Sequence, residues 1–282
     1  MRKTAFIIPI IALVSSYGFI SAQTLFDGQK AFSAMLKHNG GSPEQFINEY
    51  TYRFNNKNYN ALQDDEFEQA KTISGLKSEV ESINNENEYF IASVSAFGKY
   101  NFEKAAFEFA PFTEETNIEI LGNVFSYRLT TNTNISLRFN NGTEISSLPM
   151  PYEKANYLVK MRKDKRTGHV DRKVHLKIYF NLTDIVEIED VTDTKKKITL
   201  FANITHIEAY ENSEYLTVPL ANISTTYQVK KESEKAKAQE EKNKKPDEIN
   251  AVNNLNTYLH HENVDKELKA KLMKTAIEHY TE

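Results

Sequence analysis

One stretch constrains the fold more than any other: Arg172 to Ile188, RKVHLKIYFNLTDIVEI. Val174, Leu176, Ile178, Phe180 and Leu182 fall on one face, and His175, Lys177, Tyr179, Asn181 and Thr183 on the other. Successive side chains of a strand point to opposite faces, so this alternation is the pattern of a half-buried β-strand. It predicts a sheet with one dry face and one wet face. The partner strand is Ile198 to Tyr210. Both strands change phase, at about Asp184-Ile185 and at about Thr205-His206. An antiparallel register that sets Ile178 opposite Ile207 and Ile185 opposite Leu200 keeps apolar residues together. A one-residue slip would oppose Ile178 to a polar residue. The turn then lies near Thr192-Asp193. A third strand through Tyr215, Leu216 and Val218 completes a meander at the end of the sheet.

Earlier segments also carry period two. Phe90, Ala92, Val94 and Ala96 alternate. Tyr100-Asn101-Phe102 turns into Ala106-Phe107-Glu108-Phe109. Ile118 and Ile120 begin a strand whose phase shifts at Gly122, where a bulge is expected, before Phe125, Tyr127 and Leu129. Ile135, Leu137 and Phe139 form the next. Asn141-Gly142 is a two-residue hairpin signal, leading to Ile145 and Leu148. One helix interrupts the strands, with Tyr152, Ala155, Leu158, Val159 and Arg162 at helical spacing after Pro151.

Residues 23–86 read as a helical region. Leu25, Phe26, Ala31, Phe32, Met35 and Leu36 mark a first helix, ended by Asn39-Gly40-Gly41. Ser42-Pro43, with Gln45 three residues after the serine, starts a second. Asp64 or Asp65 caps a third, with Phe67, Ala70, Ile73, Leu76, Val80 and Ile83 on one face. After Lys230 the chain turns almost wholly charged and polar until Pro246, as an exposed helix or a linker. Two short apolar stripes follow, Ile249 to Leu259 and Val264 to Ala276, which suit a helical hairpin. The expected organisation is a signal peptide at 1–22, a helical region at 23–86 and a β-rich domain at 87–229 with its helix at 151–162. A charged linker at 230–247 and a helical hairpin at 248–282 complete it. The fold class is α+β: N-terminal helices packed on a mostly antiparallel, bent sheet.

Residues 1–22 set the expected compartment. Arg2 and Lys3 precede an apolar run from Ala5 to Val14, and Ser21-Ala22 offers a cleavage site after Ala22, the pattern of a secretory signal peptide. The run is shorter than the roughly 20 residues of a spanning helix. A mature protein in the periplasm or secreted, without a transmembrane segment, is expected. The chain contains no cysteine, which rules out disulfides, thiolate metal ligands and cysteine nucleophiles. Loss of Arg2 and Lys3 from the 35 basic residues leaves 33 against 39 acids. That balance argues against nucleic acid as partner.

Candidate sites are few. Lys160 to Lys173, KMRKDKRTGHVDRK, reads as an anion patch or as a solvated helix end and loop, with Lys163, Lys165 and Arg166 at its centre. The wet face of the central strand, His175, Lys177, Tyr179 and Asn181, is a polar row suited to contact. His206 faces Tyr179 in the expected register, and His175 stands about four residues along, roughly 13 Å at strand spacing, too far to share a metal. His260 and His261 point apart on a helix, although His261 and Asp265 stand four apart. The acids from Asp64 to Glu68 suit helix capping. Hydrolase, zinc-protease and phosphate-loop motifs do not occur. No catalytic residue, metal site or cofactor is assigned.

Several segments resemble an uncharacterised family of exported bacterial proteins, catalogued as a domain of unknown function. These are Asp64 to Glu68 opening a helix, Tyr100 to Phe107, Leu148-Pro149-Met150-Pro151, and the strands from Arg172 and Ile198, over about 45–220. The resemblance implies a bacterial envelope protein and carries over no catalytic or binding residue. Sequence therefore favours a non-catalytic binding or structural module of the cell envelope. Its partner would be an envelope protein or an anionic ligand, with self-association through the C-terminal helices as a further expectation. The alternative is a hydrolase-like periplasmic enzyme on a fold without a recognised motif. An enzyme calls for a deep pocket; a binding module calls for a shallow groove or an exposed strand edge.

Overall fold

The computed structural model describes residues 24–239 except 40, 61–64, 125–128, 130–131, 193–194 and 213–217. The signal peptide, Asp64, Phe125 and Tyr127, the Tyr215-Leu216 strand, the C-terminal helices and His260, His261 and His279 lie outside the described residues. The chain divides into two compact units, 1–225 and 226–282. In the second, residues 226–239 are helical, and 232–239 are exposed.

The first unit is α+β. Its larger sheet runs β1 (Thr24–Leu25), β2 (Tyr89–Ala96), β8 (Lys173–Thr192), β9 (Lys195–Tyr210), β6 (Asn132–Phe139), β5 (Asn117–Leu121), and β10 (Ala221–Ser224) also pairs with β9. Pairing is antiparallel except for β1 with β2 and β6 with β9. A smaller sheet joins β3 (Tyr100–Asn101), β4 (Ala106–Glu108) and β7 (Ser147–Pro149). Helix α1 (Gly28–Asn39) meets β5, β6, β8 and β9. Helices α2 (Pro43–Phe54) and α3 (Glu66–Ser82) pack on each other's flank and on α1, and α4 (Tyr152–Met161) follows β7.

The central alternation holds on its dry side. Val174, Leu176, Ile178, Phe180 and Leu182 are buried, against Ile198, Leu200, Ala202, Ile204, Ile207 and Ala209 of β9 and Ile135 and Leu137 of β6. Ile178 pairs with Ile207 and Tyr179 with His206, as the pattern requires. The expected phase change of β9 is a register shift, whereas β8 shifts register without changing phase. Between Tyr179 and Phe180 the partner jumps from His206 to Ile204, and between Leu182 and Val186 three residues of β8 face one of β9. Beyond the second shift Val186, not Ile185, faces Leu200. The β9 bulge leaves Thr205 unpaired, so Ile204 and Ile207 both point inward across it, whereas the two extra residues of β8 leave Leu182 and Val186 on one face and Ile185 57% exposed.

Other expectations need correction. Leu25 and Phe26 are not helical: the Phe26 amide donates to Phe90 O (2.9 Å), so the entry to α1 is a strand laid on β2. On β2 the alternation is inverted, since Tyr89 and Ile91 are buried whereas Ala92, Val94 and Ala96 are exposed. The inward positions Ser93 and Ser95 are small and polar, so apolar counting chose the wrong face. The bulge of β5 lies at Ile120, between Glu119 and Leu121, ahead of Gly122. Strand β9 is not at the end of the sheet, because β6 and β10 occupy successive parts of the edge opposite β8. The strand beside it comes from 221–224, later than the sequence suggests.

Asn141-Gly142 makes no hairpin. Strand β6 ends there and β7 joins the other sheet. The Asn141 side chain instead imitates a strand: its amide donates to Ile204 O (2.9 Å) and its oxygen accepts from Ile204 N (2.8 Å). Gly142 meets a packing demand, since a Cβ there would stand 2.8 Å from Phe112 Cβ.

Among the helices, Asp65 caps α3, its Oδ1 accepting from the Phe67 (2.9 Å) and Glu68 (3.1 Å) amides. Phe67, expected inside, is 80% exposed. Helix α3 packs on α1 and α2, so Leu76 and the following Ile83 are covered whereas its first turn is not. Ser42 precedes α2 but does not cap it with its side chain. Its hydroxyl donates to the Glu44 carboxylate, which also binds Lys77 (2.6 Å). Lys77 and Ser42 together hold the Glu44 carboxyl down at about 2.

Candidate interaction surface

The outward face of β8 is where the sequence places its polar row. Strand pairing extends that row on both sides. His175 lies between Val94 of β2 and Tyr210 of β9, Lys177 between Ala92 and Glu208, and Tyr179 between Phe90 and His206. On β10, Asn222 and Ser224 pair with Glu208 and His206.

These side chains bind one another. The Tyr179 and His206 rings stack at 4.1 Å between centroids, 11° from parallel. The Lys177 ammonium sits 4.4 Å from the Phe90 ring centre and 4.8 Å from that of Tyr179, within cation–π range. The hydroxyls of Tyr179 and Tyr210 both donate to Glu208 Oε2, each at 2.7 Å. Glu88 Oε1 accepts from the Thr205 hydroxyl (2.8 Å) and lies 3.7 Å from His206 Nδ1. Thr205 is the residue that the β9 bulge leaves unpaired.

Burial and the Glu208 carboxylate push the Tyr210 phenol up to about 12, and the same causes raise Tyr179 further. A phenol raised in the folded state favours folding while it stays neutral. That contribution is complete below pH 10 and disappears as pH rises through about 12. Tyrosinate absorbance during alkaline titration of the folded protein should therefore contain a component near 12 that Tyr210→Phe removes, while the still later ionisation of Tyr50 and Tyr179 remains. Glu208→Gln should move that component toward 10, the ordinary tyrosine value. An unchanged titration in Glu208→Gln would refute the assignment of the shift to this carboxylate.

The expected wet face is only partly wet. His175 and Lys177 are half-buried, whereas Tyr179 and Asn181 are each 1% exposed. The pattern rule assumes that a polar residue on the outward face meets water. Tyr179 is instead enclosed by rings. The Asn181 amide donates to Asn87 O (2.7 Å), fixing the turn before β2. The basic loop is a separate, exposed feature. Lys163, Lys165 and Arg166 surround Asp164, whose Oδ1 accepts from the Arg166 (2.9 Å) and Thr167 (2.6 Å) amides and from the Thr167 hydroxyl (2.9 Å). Those bonds hold the Asp164 carboxyl below its ordinary value. Gly168, at φ 72°, closes the loop in the left-handed region that suits glycine. No hydrogen bond or ion pair among the described residues joins Lys163, Lys165 or Arg166 to the outward row.

Sequence alone does not place Glu88, Glu208 and Tyr210 in this surface, and it takes Phe90 as a strand position and His206 as the residue facing Tyr179. The signal was available: His206, Glu208 and Tyr210 alternate on the strand whose register was predicted. His175 and His206 stand apart as that register implies, opposite Tyr210 and Tyr179. Among the described residues no three His, Asp or Glu side chains are grouped as metal ligands.

Beside this row lies an open strand edge. Strand β1 covers β2 at Tyr89 and Phe90, and among the described residues no strand pairs with the same edge from Ile91 to Ala96. That segment, IASVSA, has no charge, proline or glycine. The Phe97 amide donates inward to Arg172 O, and Phe90 O accepts from the β1 side. Backbone groups alternate direction along a strand. The N–H and C=O groups of Ala92, Val94 and Ala96 therefore point to the open edge.

Residues 42–161 match a family model described as Domain of unknown function (DUF4852). The match takes in Asp64 to Glu68, the β3–β4 hairpin and Leu148 to Pro151, and stops before β8 and β9. No curated protein and no solved structure matches the chain. Among the described residues no helix is long and apolar enough to cross a membrane.

Proposed function

We propose that the protein is a non-catalytic binding or structural module of the bacterial cell envelope, exported by its amino-terminal signal segment. It holds an extended chain against the open edge of β2. The observation that carries this reading is the edge itself. Exposed strand edges invite another strand, and proteins ordinarily blunt them with lysine, proline, a bulge or a cover. The Ile91–Ala96 segment has none of the sequence devices, and Val94 is 55% exposed. Main-chain hydrogen bonds would supply affinity, and the neighbouring outward row, with His175 and Lys177, would read the side chains of the added strand. The raised phenols and the mutual hydrogen bonds of Tyr179, Tyr210 and Glu208 suit a preorganised contact surface better than proton transfer near neutral pH.

Capture from envelope extract tests this reading. Val94→Pro removes an outward-pointing N–H, which an edge strand tolerates without losing its ladder to β8. Wild type and the Lys163, Lys165, Arg166 triple-alanine variant should recover the same partners, and Val94→Pro should lose them. Equal recovery by Val94→Pro would refute the proposal.

A further inference from the structure

We infer that the chain seated on the β2 edge is a second copy of this protein, paired antiparallel about a two-fold axis at Val94. This rests on the edge acting as a strand-addition site. The argument for self-pairing is geometric. In an antiparallel pair, opposed side chains share a face. A two-fold axis normal to the sheet must therefore match outward residues with outward residues. With Val94 opposite Val94, Ala92 stands opposite Ala96 and Ser93 opposite Ser95. All three residues whose backbone groups point to the open edge then become hydrogen-bonded pairs. Shifting the axis to Ser93 would oppose Ala96 to Phe90, whose carbonyl already accepts from Phe26.

Chemistry fits as well as geometry. The outward side would carry an apolar row of Ala, Val and Ala from each copy, and the inward side serine opposite serine, which hydrogen-bond favourably across strands. A two-fold interface brings each residue against its own neighbourhood, so any charge on the segment would meet a like charge. IASVSA has no charge to repel its copy. The result is one continuous sheet through two protomers, with each open edge closed by the other.

The absence of cysteine in the natural chain makes the test clean. Val94→Cys introduces a single thiol. In the proposed register its Cα would lie about 5.5 Å from its partner's, inside the range that a disulfide bridges. Mild oxidation of the folded, full-length mature protein should yield a disulfide dimer. Ala92→Cys, which would stand opposite Ala96 and far from its own copy, should not crosslink. Wild-type mass by light scattering should rise with concentration, and Val94→Lys, which sets two ammonium groups together at an exposed position, should hold it at the monomer value. Failure of Val94→Cys to crosslink, crosslinking of Ala92→Cys as readily, or a Val94→Lys mass equal to wild type would each overturn the proposal. Loss of envelope capture in Val94→Pro, without a Val94→Cys dimer, would leave the edge as a site for a different chain and reject only self-pairing.

Discussion

Arg53→Ala should lower the unfolding free energy by about 3–5 kcal/mol, the usual cost of removing one member of a buried ion pair. The Arg53 side chain is 3% exposed and that of Glu49 is 0% exposed. Arg53 Nε donates to Glu49 Oε1 (2.9 Å), Nη1 to Gly122 O (2.8 Å), and Nη2 to Asn132 Oδ1 (3.0 Å) and Thr133 O (2.8 Å). Glu49 Oε1 also accepts from the Thr133 amide and hydroxyl, both at 2.7 Å. One guanidinium thus ties α2 to Gly122, just after β5, and to the first two residues of β6. Truncation would strand a buried carboxylate and free several carbonyls at once. Arg53→Lys should recover little, because an ammonium on a flexible stem cannot reproduce the planar fork. Glu49→Gln in the Arg53→Ala background should restore part of the loss by removing the uncompensated charge. Urea unfolding followed by circular dichroism measures all three. A loss under about 1 kcal/mol for Arg53→Ala would place this pair among weak surface bridges.

The second large effect is expected at Phe180→Ala, again about 3–5 kcal/mol, from lost burial and the cavity left behind. Phe180 is fully buried on the dry side of β8. Its ring meets Phe26 edge-on at 5.4 Å, Phe139 at 5.6 Å and Tyr89 at 6.2 Å. These rings come from the entry to α1, from β6 and from β2, so a single side chain bonds the sheet across its width to the first helix. It also sits beside the register shift where β9 skips Thr205, so the sheet has little freedom to collapse into the space. Phe102→Ala is the matched control. That ring is 75% exposed, and its loss should stay within about 0.5 kcal/mol. Thermal melts of the two variants should separate widely. Similar melting points would mean that Phe180 is dispensable to the core.

Legibility in the sequence followed the kind of interaction involved. Helix α2 shows why. Phe46, Ile47, Tyr50 and Phe54 form a readable stripe because burial of apolar groups imposes a period. Glu49 and Arg53 look like any solvated pair four residues apart. Their hydrogen-bond partners Gly122, Asn132 and Thr133 lie about 70 to 85 residues away in the chain. The candidate surface divides the same way. Tyr179 and His206 were predictably opposite, because parity is set by alternation. The enclosure of Tyr179, the capture of Asn181 by the turn at Asn87, and the sharing of Glu208 by two tyrosines depend on neighbours that alternation does not name. Asn141-Gly142 failed for a related reason. Its local preference for a tight turn is weak against two hydrogen bonds to Ile204 and a close approach to Phe112.

By itself the amino-acid order determined the long β8–β9 hairpin, the pairing of its Val174–Tyr179 part and the phase change at Thr205, since a one-residue error there would bury charge and expose five apolar side chains. It determined the helices between residues 28 and 82 and the absence of thiol chemistry. Only tertiary structure decided that β9 is an interior strand, that β2 turns Ala92, Val94 and Ala96 outward, and that among the described residues no strand covers its edge beyond Phe90. Those outcomes depend on which strand arrives from elsewhere in the chain to occupy each edge. The pairing groups are main-chain N–H and C=O, the same in every residue, so side-chain patterning carries almost no record of that choice.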